Sequence, residues 1–497
     1  MANRFLRTLA LAVIAAAIGP AAHAGTAPAL GLHLKPCAEG LHRAKSAALC
    51  GTFGVYEDRA ARSGRIIELN VVVVKALHPT HHAIAWIEGG PGASAVMDAP
   101  FVADGLFEKE IRALHGAYDM LFVDSRGMGR SNATHCDVAP SSDPASYFAQ
   151  LWPDKLLAAC HTAYLTHANP NFYNTNNAVD DLDDVRAALG YPKLALDGGS
   201  YGTFEALVSL RRHPDTVESA LLDGVDPPHF DALPGAPDGA QNAIGDLMVK
   251  CRKDASCNAH FPHFAQYFQA LIARFDRGPL AVRLKNKHLK QPRTIDLSKE
   301  VFVDHLRQAM YDPQSAAYIP YIVEQVHEGN TAPLATMIDT VARGFAGELD
   351  MATNLSYMCA DAMPFLDPAK VKAAAALSFA GDLRIRAELH ACTIWSVNAM
   401  PRSFDDPVRS SAPALLMNGT DDPATPIASA RAELPYLSNA KLLVVRGAGH
   451  GVESPCTDRV AVAFLRARSV QRLDVNRCTA TFTVPKFATS MKGWPEF

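Results

Sequence analysis

The sequence lacks the patterns that indicate a metal site, a nucleic-acid partner or a membrane-embedded chain. It has no C-x-x-C pair and no H-E-x-x-H, so its cysteines and histidines do not favour zinc. Its formal net charge is −4 with no long run of charge, which argues against nucleic acid or an anionic membrane as the main partner. After the N-terminus no stretch approaches transmembrane length. No metal or organic cofactor is therefore expected.

The chain does contain enough apolar residues for a large folded core. Of its 497 residues, 48% are hydrophobic and 20% are charged, which is typical of a globular protein. Between residues 66 and 225, short apolar stretches alternate with helix-like ones. This alternation predicts an α/β fold with a mostly parallel sheet covered by helices on both faces. The predicted strands are 66–74, 83–87, 120–123, 194–196 and 220–222, and a helix at 178–189 is expected to be capped by Asn177.

The first residues have the pattern of an export signal. Arg4 and Arg7 precede the apolar run 9–18, and Ala22-His23-Ala24 is an A-x-A cleavage site. The apolar run is short for a bilayer span, although an uncleaved anchor is the alternative. We predict a signal peptide over residues 1–24, cleavage after Ala24, and a periplasmic or secreted mature chain that is not attached to a membrane.

An exported chain with an even number of cysteines is expected to form disulfides. The simplest connectivity for the ten cysteines joins sequence neighbours. The resulting pairs are Cys37–Cys50, Cys136–Cys160, Cys251–Cys257, Cys359–Cys392 and Cys456–Cys478.

The alternation of strands and helices is interrupted in the middle of the chain. From about residue 227 to about 406 the periodicity is helical with few strand signals, and strands return at 414–417 and 442–445. These late strands are too few to form their own core. We therefore predict one α/β core, residues 25–226 and 407–497, interrupted by a helical cap at 227–406. Two sequential domains are the alternative.

The segment Gly198-Gly199-Ser200-Tyr201-Gly202 directly follows the apolar run 194–196. A serine on a tight turn between a strand and a helix exposes its hydroxyl to a base and a substrate. It needs a base and an orienting acid, which in this architecture follow in the order Ser, Asp or Glu, His. His450 lies between glycines after one late strand, and Asp421 and Asp422 follow another. Either aspartate can be the acid on this pattern.

An acyl-transfer site also needs two backbone N–H donors for the oxyanion that develops during the reaction. One donor follows the nucleophile, at Tyr201. The other comes from the loop after the third strand, here Gly89-Gly90-Pro91-Gly92.

Together these motifs resemble those of the proline iminopeptidase and tripeptidyl aminopeptidase family of α/β-hydrolases. The resemblance runs from about Cys50 to Cys478. Segment 419–426 is similar to the acid turn of the family's TAP-like C-terminal region, and its register selects Asp422 over Asp421. The other segments that carry the resemblance are 89–92, 124–131, 179–191 and 198–202.

The resemblance implies a serine exopeptidase that removes one or a few residues from the N-terminus of a peptide. Proline iminopeptidases usually have His where this chain has Glu88, which weakens a strictly proline-specific assignment. The length, export signal and cysteines are more similar to the secreted tripeptidyl aminopeptidases. The implied site residues are Ser200 as nucleophile, Asp422 as acid, His450 as base, and Gly90 and Tyr201 as oxyanion donors.

An aminopeptidase must also hold the ammonium of its substrate, which requires carboxylates in the cleft. The candidates are Asp361 within the cap and Glu205, which lies one turn after the elbow, the tight turn at Ser200. Each can instead be a surface or capping acid. Glu88 can likewise be structural. Arg126 is expected to order its own loop rather than to contact substrate.

The sequence therefore predicts an exported serine aminopeptidase that acts on small peptides. A periplasmic or secreted carboxylester hydrolase with the same triad is the alternative, and a binding protein that keeps the fold without turnover is a second. The cap discriminates between the two enzymes. An aminopeptidase needs acids that face Ser200, whereas an esterase needs an apolar funnel.

Overall fold

The structure is a computed structural model that describes residues 30–37, 47–78, 80–103, 114–229, 237–480 and 482–495. The predicted signal peptide and its cleavage site after Ala24 lie outside these residues. None of the helices within the described ranges combines the length and the hydropathy that a membrane-spanning helix needs.

The centre of the molecule is a nine-stranded sheet. The strands of the described residues are β1 (Gly31–Pro36), β2 (Ala48–Tyr56), β3 (Ile66–Val74), β4 (Ala83–Ile87), β5 (Asp119–Val123), β6 (Leu194–Gly199), β7 (Val217–Asp223), β8 (Leu280–Leu284), β9 (Arg293–Leu297), β10 (Ala414–Gly419) and β11 (Ala440–Val445). The order in the large sheet is β1-β2-β3-β5-β4-β6-β7-β10-β11. Pairings from β1 to β5 are antiparallel and those from β5 to β11 are parallel, so the predicted α/β class with a mostly parallel sheet is confirmed.

The parallel strands are buried on both faces, because alternate side chains enter two different hydrophobic clusters. In β4, Ala83, Ala85 and Ile87 join one cluster, whereas Ile84 and Trp86 join the other. Every residue of β4 and β5 is buried. A sheet covered in this way exposes only its edges and strand ends, so the loops at the carboxyl ends of the strands are the accessible place for chemistry.

The helices cover the two faces of the sheet, and most of the chain between β7 and β10 in the sequence is also helical. One of them begins earlier than the sequence predicts: it spans Thr175–Ala188, and Asn174 caps it by accepting the backbone N–H of Asn177 at 3.1 Å. The predicted cap at Asn177 was wrong because Asn174 has the extended backbone of a capping residue, which adds a turn. The helices are α1 (Ala99–Ala103), α2 (Pro144–Ala149), α3 (Asp154–Tyr164), α4 (Thr175–Ala188), α5 (Tyr201–Arg212), α6 (Pro237–Lys253), α7 (Ala255–His260), α8 (Phe264–Phe275), α9 (Lys299–Ala309), α10 (Pro313–Ala316), α11 (Ile319–His327), α12 (Ala332–Glu348), α13 (Met351–Asp361), α14 (Pro368–Ala375), α15 (Leu383–Ile394), α16 (Ile427–Glu433) and α17 (Pro455–Ala467).

The segment between β7 and β10 has a hydrophobic core of its own, built mainly from α6 to α12. It also contains the antiparallel hairpin β8–β9, which the helical periodicity of the segment did not predict. After this segment, β10 pairs with β7 and returns the chain to the large sheet. We therefore propose residues 227–406 as an inserted cap, called the insertion below.

The cysteines pair as neighbours in the sequence, as predicted. Each closed loop contributes about 2–4 kcal/mol to stability, and all ten cysteines are used. The pairs are Cys37–Cys50, Cys136–Cys160, Cys251–Cys257, Cys359–Cys392 and Cys456–Cys478.

Candidate active site

Ser200 lies on the tight turn between β6 and α5 that its motif predicts. Its backbone has φ of 54° and ψ of −125°, a strained conformation for a residue other than glycine. The flanking glycines are required by close approach, since a Cβ at Gly202 would collide with the carbonyl oxygen of Ile87 on β4. The Ser200 N–H donates to Asp223 O at 2.8 Å, which ties the elbow to the end of β7.

His450 reaches Ser200 from the loop after β11. Its Nε2 lies 2.8 Å from Ser200 Oγ, and its Nδ1 lies 2.9 Å from Asp422 Oδ2 and 3.1 Å from Asp422 Oδ1. The imidazole is buried, with 4% of the residue exposed. The structure thus brings together the serine, histidine and aspartate that the sequence predicts as a triad.

Asp422 is held rigidly by the turn that follows β10. Its Oδ1 accepts the backbone N–H groups of Ala424 at 2.8 Å and Thr425 at 2.9 Å, and its Oδ2 accepts the Thr425 hydroxyl at 2.7 Å. A carboxylate fixed by three donors presents its remaining lone pairs to His450 in one orientation.

The neighbouring Asp421 has a different environment. Its Oδ2 forms an ion pair with Lys250 of α6, and its Oδ1 accepts the Thr420 hydroxyl at 2.7 Å. Asp421 therefore contacts the insertion through Lys250. The register that selects Asp422 as the partner of His450 agrees with this geometry.

The glycine loop after β4 lies directly against the elbow. A Cβ at Gly89 would lie 2.9 Å from Ser200 Cβ, and Gly90 has φ of +114°, a region that favours glycine. The insertion supports this loop, since Asn354 Nδ2 donates to Pro91 O at 2.8 Å. Of the two predicted oxyanion donors, Tyr201 directly follows Ser200 and Gly90 directly follows Gly89, the residue of the loop that lies against Ser200.

Two family models match the chain. One, described as alpha/beta hydrolase fold, covers residues 84–242, and the other, described as TAP-like protein, covers residues 377–478. The chain is an α/β-hydrolase with a TAP-like C-terminal segment. It is therefore a serine hydrolase by fold and family.

Several curated proteins are similar to this TAP-like hydrolase over different lengths. Serine protease Hip1 of Mycobacterium tuberculosis is 25% identical over 468 residues, which is 84% of this chain and 85% of the relative. Tripeptidyl aminopeptidase of Streptomyces coelicolor is 29% identical over 229 residues, 43% of this chain and 42% of the relative. Carboxylesterase B of Mycobacterium tuberculosis is 25% identical over 435 residues, 81% of this chain and 80% of the relative.

The two predicted amine-binding acids of the TAP-like hydrolase lie away from its cleft. Asp361 Oδ2 accepts the Thr175 N–H at 2.8 Å and its hydroxyl at 2.5 Å, and Glu205 Oε1 accepts the Ser125 hydroxyl at 3.0 Å. Both residues are at most 2% exposed. Burial raises the pKa of each carboxyl to about 7. We correct their predicted role, because a buried acid with protein partners supports the elbow and is not presented to a substrate.

Arg126 was expected to order its own loop, and its side chain also binds three other segments of the chain. Its guanidinium is fully buried and binds both oxygens of Asp181 on α4, at 2.8 and 2.9 Å. It also donates to the carbonyl oxygens of Glu57 and Phe172. Arg126 therefore fastens the loop after β5 to α4 and to two neighbouring segments.

A cleft opens beside the glycine loop. Its lining includes Gly90 from the core and Tyr311, Leu349 and Asn354 from the insertion. Its charged residues are Asp304, Arg307 and Arg384, which pair with one another through hydrogen bonds of 2.9 to 3.2 Å. The cleft therefore differs from the apolar funnel expected of an esterase. Its lining acid, Asp304, is paired with arginines.

Glu348 is an acid near the cleft that the sequence analysis missed. It ends α12, directly before the cleft-lining Leu349. Burial, and then the charge of nearby Glu88, raises the pKa of Glu348 to about 8. Its Oε1 is buried without a hydrogen-bond partner among the described residues. No local signal marks this glutamate, since an acid at the end of a helix resembles an ordinary surface residue.

The described residues contain no group of three or more histidine, cysteine, aspartate or glutamate side chains that could hold a metal ion.

Proposed function

We propose that this TAP-like hydrolase is an exported serine aminopeptidase that cleaves peptide bonds near the N-terminus of small peptides, in the manner of a tripeptidyl or prolyl aminopeptidase. The observation that carries the proposal is the chain of contacts from Ser200 Oγ through His450 to Asp422. The similarity to a serine protease over most of its length, and to a tripeptidyl aminopeptidase over part, supports the peptidase class.

In the proposed reaction, Ser200 Oγ attacks the scissile carbonyl carbon while His450 Nε2 accepts its proton. The carbonyl oxygen becomes an oxyanion, which the backbone N–H groups of Gly90 and Tyr201 stabilise. The C–N bond then breaks, and the leaving amine takes the proton from the imidazolium. Water attacks the resulting acyl-enzyme with His450 again accepting a proton, and the acid product and free Ser200 are released. Asp422 keeps the proton on Nδ1, so that Nε2 is free to act as the base.

For the substrate ammonium we propose Glu348, with Glu88 beside it, in place of Asp361 and Glu205. Burial and the charge of nearby Glu88 raise the pKa of Glu348, and an arriving cation would relieve both the desolvation of this carboxyl and the repulsion. Glu88 directly precedes the glycine loop and Glu348 directly precedes Leu349 of the cleft wall, which supports this pair as the place for a substrate N-terminus.

Export is part of the proposal. The five disulfides and the N-terminal A-x-A pattern support it, since disulfides persist in oxidising compartments. The mature chain would begin after Ala24 and act in the periplasm or outside the cell.

A carboxylester hydrolase is the second candidate, because the same triad cleaves esters and Carboxylesterase B of Mycobacterium tuberculosis is a relative. A screen of aminoacyl, tripeptidyl and N-blocked fluorogenic peptides beside short-chain esters separates the two. We expect cleavage of free-amine peptides that N-acetylation abolishes. Hydrolysis of esters alone would overturn the peptidase assignment. Ser200→Ala, prepared identically, is the control for contaminating activity and should lose up to about 10⁶-fold in turnover.

A further inference from the structure

The insertion supplies one residue that contacts the proposed catalytic base directly. Tyr311 lies between α9 and α10, and its carbonyl oxygen accepts the His450 N–H at 2.8 Å. Its ring centroid lies 4.7 Å from that of the imidazole, at an interplanar angle of 52°. His450 is thus contacted through both its backbone and its ring by a residue more than a hundred positions earlier in the chain.

The loop that carries His450 fits closely against this part of the insertion. A Cβ at Gly449 would collide with the Tyr311 carbonyl oxygen and would lie 3.1 Å from Pro313 Cδ. Only glycine allows the two backbones to approach this closely. The position of the base therefore depends on the insertion as well as on Asp422.

Tyr311 is itself fixed by the ion network of the cleft wall. Arg307 Nη1 donates to the Tyr311 hydroxyl at 2.5 Å, and Arg307 Nε and Nη2 donate to Asp304 Oδ1. Asp304 Oδ2 in turn accepts from Gln308 and Arg384, each at 2.9 Å. Arg307 and Asp304 are at most 3% exposed, and buried charges keep their partners because an unpaired charge there is costly. The network is thus a rigid mount for the phenol.

We propose that Tyr311 is a positioning residue that holds the imidazole of His450 in line between Ser200 Oγ and Asp422. Proton transfer requires a short and well-aligned contact between Nε2 and Oγ, and a displacement of about 1 Å can reduce the rate by about a hundredfold. Asp422 restrains the imidazole at Nδ1, and the Tyr311 ring restrains it against rotation out of that line. The proposal rests on the triad proposed above.

Three variants test this role: Tyr311→Leu, Tyr311→Phe and, as control, Tyr318→Leu. Leucine removes the ring, whereas phenylalanine keeps the ring and loses only the bond to Arg307. Tyr318 is an insertion tyrosine that packs against Trp494 and does not line the cleft. The readouts are the second-order rate of fluorophosphonate labelling per active site, and kcat and KM on a short-chain ester. Active-site titration corrects for any unfolded protein.

We expect Tyr311→Leu to slow labelling and lower kcat by about 10- to 100-fold, with KM changed by less than about threefold. Tyr318→Leu should stay within about threefold of the wild type, and Tyr311→Phe should lose clearly less than Tyr311→Leu because the ring remains. Wild-type rates in Tyr311→Leu, an equal loss in Tyr311→Phe, or a loss confined to KM would each overturn the proposal. Persistent labelling of Ser200→Ala would instead show that the triad assignment is at fault.

Discussion

Two groups of buried carboxyls in this molecule are stabilised in opposite ways. Behind the elbow, Glu205 and Asp361 have hydroxyl or amide donors, and burial raises the pKa of each to about 7. In the cleft wall, burial acts on Asp304 as well, but Arg384 and Arg307 outweigh it and lower the pKa of Asp304 to about 2. Equal burial therefore gives opposite proton affinity, and the nearby cations decide the sign.

The two groups of carboxyls therefore respond differently to pH. The pKa of Asp304 is lowered and that of Arg307 is raised, so we expect this ion pair to keep its charges and to hold Tyr311 in place between pH 5 and 8. The elbow support consists of carboxyls that titrate within that range, so its stability does. We therefore expect the pH dependence of folding to come from the elbow and the alignment of the base to come partly from the wall.

The two adjacent aspartates after β10 give the sharpest test of which carboxylate is the acid of the triad. Asp422 binds His450, whereas Asp421 binds Lys250 of the insertion. We expect Asp422→Asn to lower kcat by about 10⁴-fold, because an amide favours the wrong imidazole tautomer. Asp421→Asn should lower kcat by less than about tenfold, since Asp421 contacts Lys250 and the Thr420 hydroxyl, and its loss leaves the Asp422 contact to His450 in place. Steady-state kinetics on one ester measures both, and the reverse ranking would place the acid one residue earlier.

The elbow support makes a prediction for stability against pH. A folded carboxyl with a pKa of about 7 holds its proton more tightly than the unfolded one at about 4.3, so the unfolded state releases its proton first as pH rises. The contribution of Glu205 to the free energy of unfolding is thus full below the unfolded pKa, and it is lost as pH rises towards the folded pKa of about 7. Glu205→Gln removes this loss. Relative to the wild type, we expect its free energy of unfolding to rise by about 2–3 kcal/mol between pH 5 and pH 8.

Urea denaturation at the two pH values measures this difference. The control is Glu328→Gln, an exposed acid, which should show the same pH dependence as the wild type. If Glu205→Gln tracks the wild type at both pH values, Glu205 is not a source of the pH dependence.

The chemical site was predictable from sequence because its signals are local. A nucleophile elbow, a glycine loop and a histidine between glycines each mark a strand end, where tight turns demand particular residues. Parallel strands then bring those ends together, so Ser200, Asp422 and His450 follow from pattern and chain order. The burial of β4 on both faces follows in the same way, from a short run of apolar residues.

The residues of the insertion were not predictable, because their roles depend on contacts between distant segments. Tyr311 and Glu348 lie in or next to helices, and the sequence around them has no motif. Nothing local indicates that Tyr311 contacts His450 or that Glu348 lies near Glu88. Asp361 and Glu205 had the opposite problem. Each is an acid near a motif, and sequence does not reveal that it faces Thr175 or Ser125 instead of the cleft.

Glu348 gives the smallest expected effect and the most specific one for function. Glu348→Gln keeps the shape of the side chain and removes the charge proposed to bind an ammonium. We expect kcat/KM for a free-amine tripeptidyl substrate to fall by about tenfold, since a hydrogen bond to a charged group is worth about 1.5–3 kcal/mol. Hydrolysis of a short-chain ester should stay within about twofold, because no ammonium is involved. An equal loss on both substrates would make Glu348 a structural residue, and no loss on either would leave the ammonium to another group. A selective loss would assign the substrate N-terminus to Glu348, and it would leave Arg307 and Asp304 the separate role of holding Tyr311 against the base.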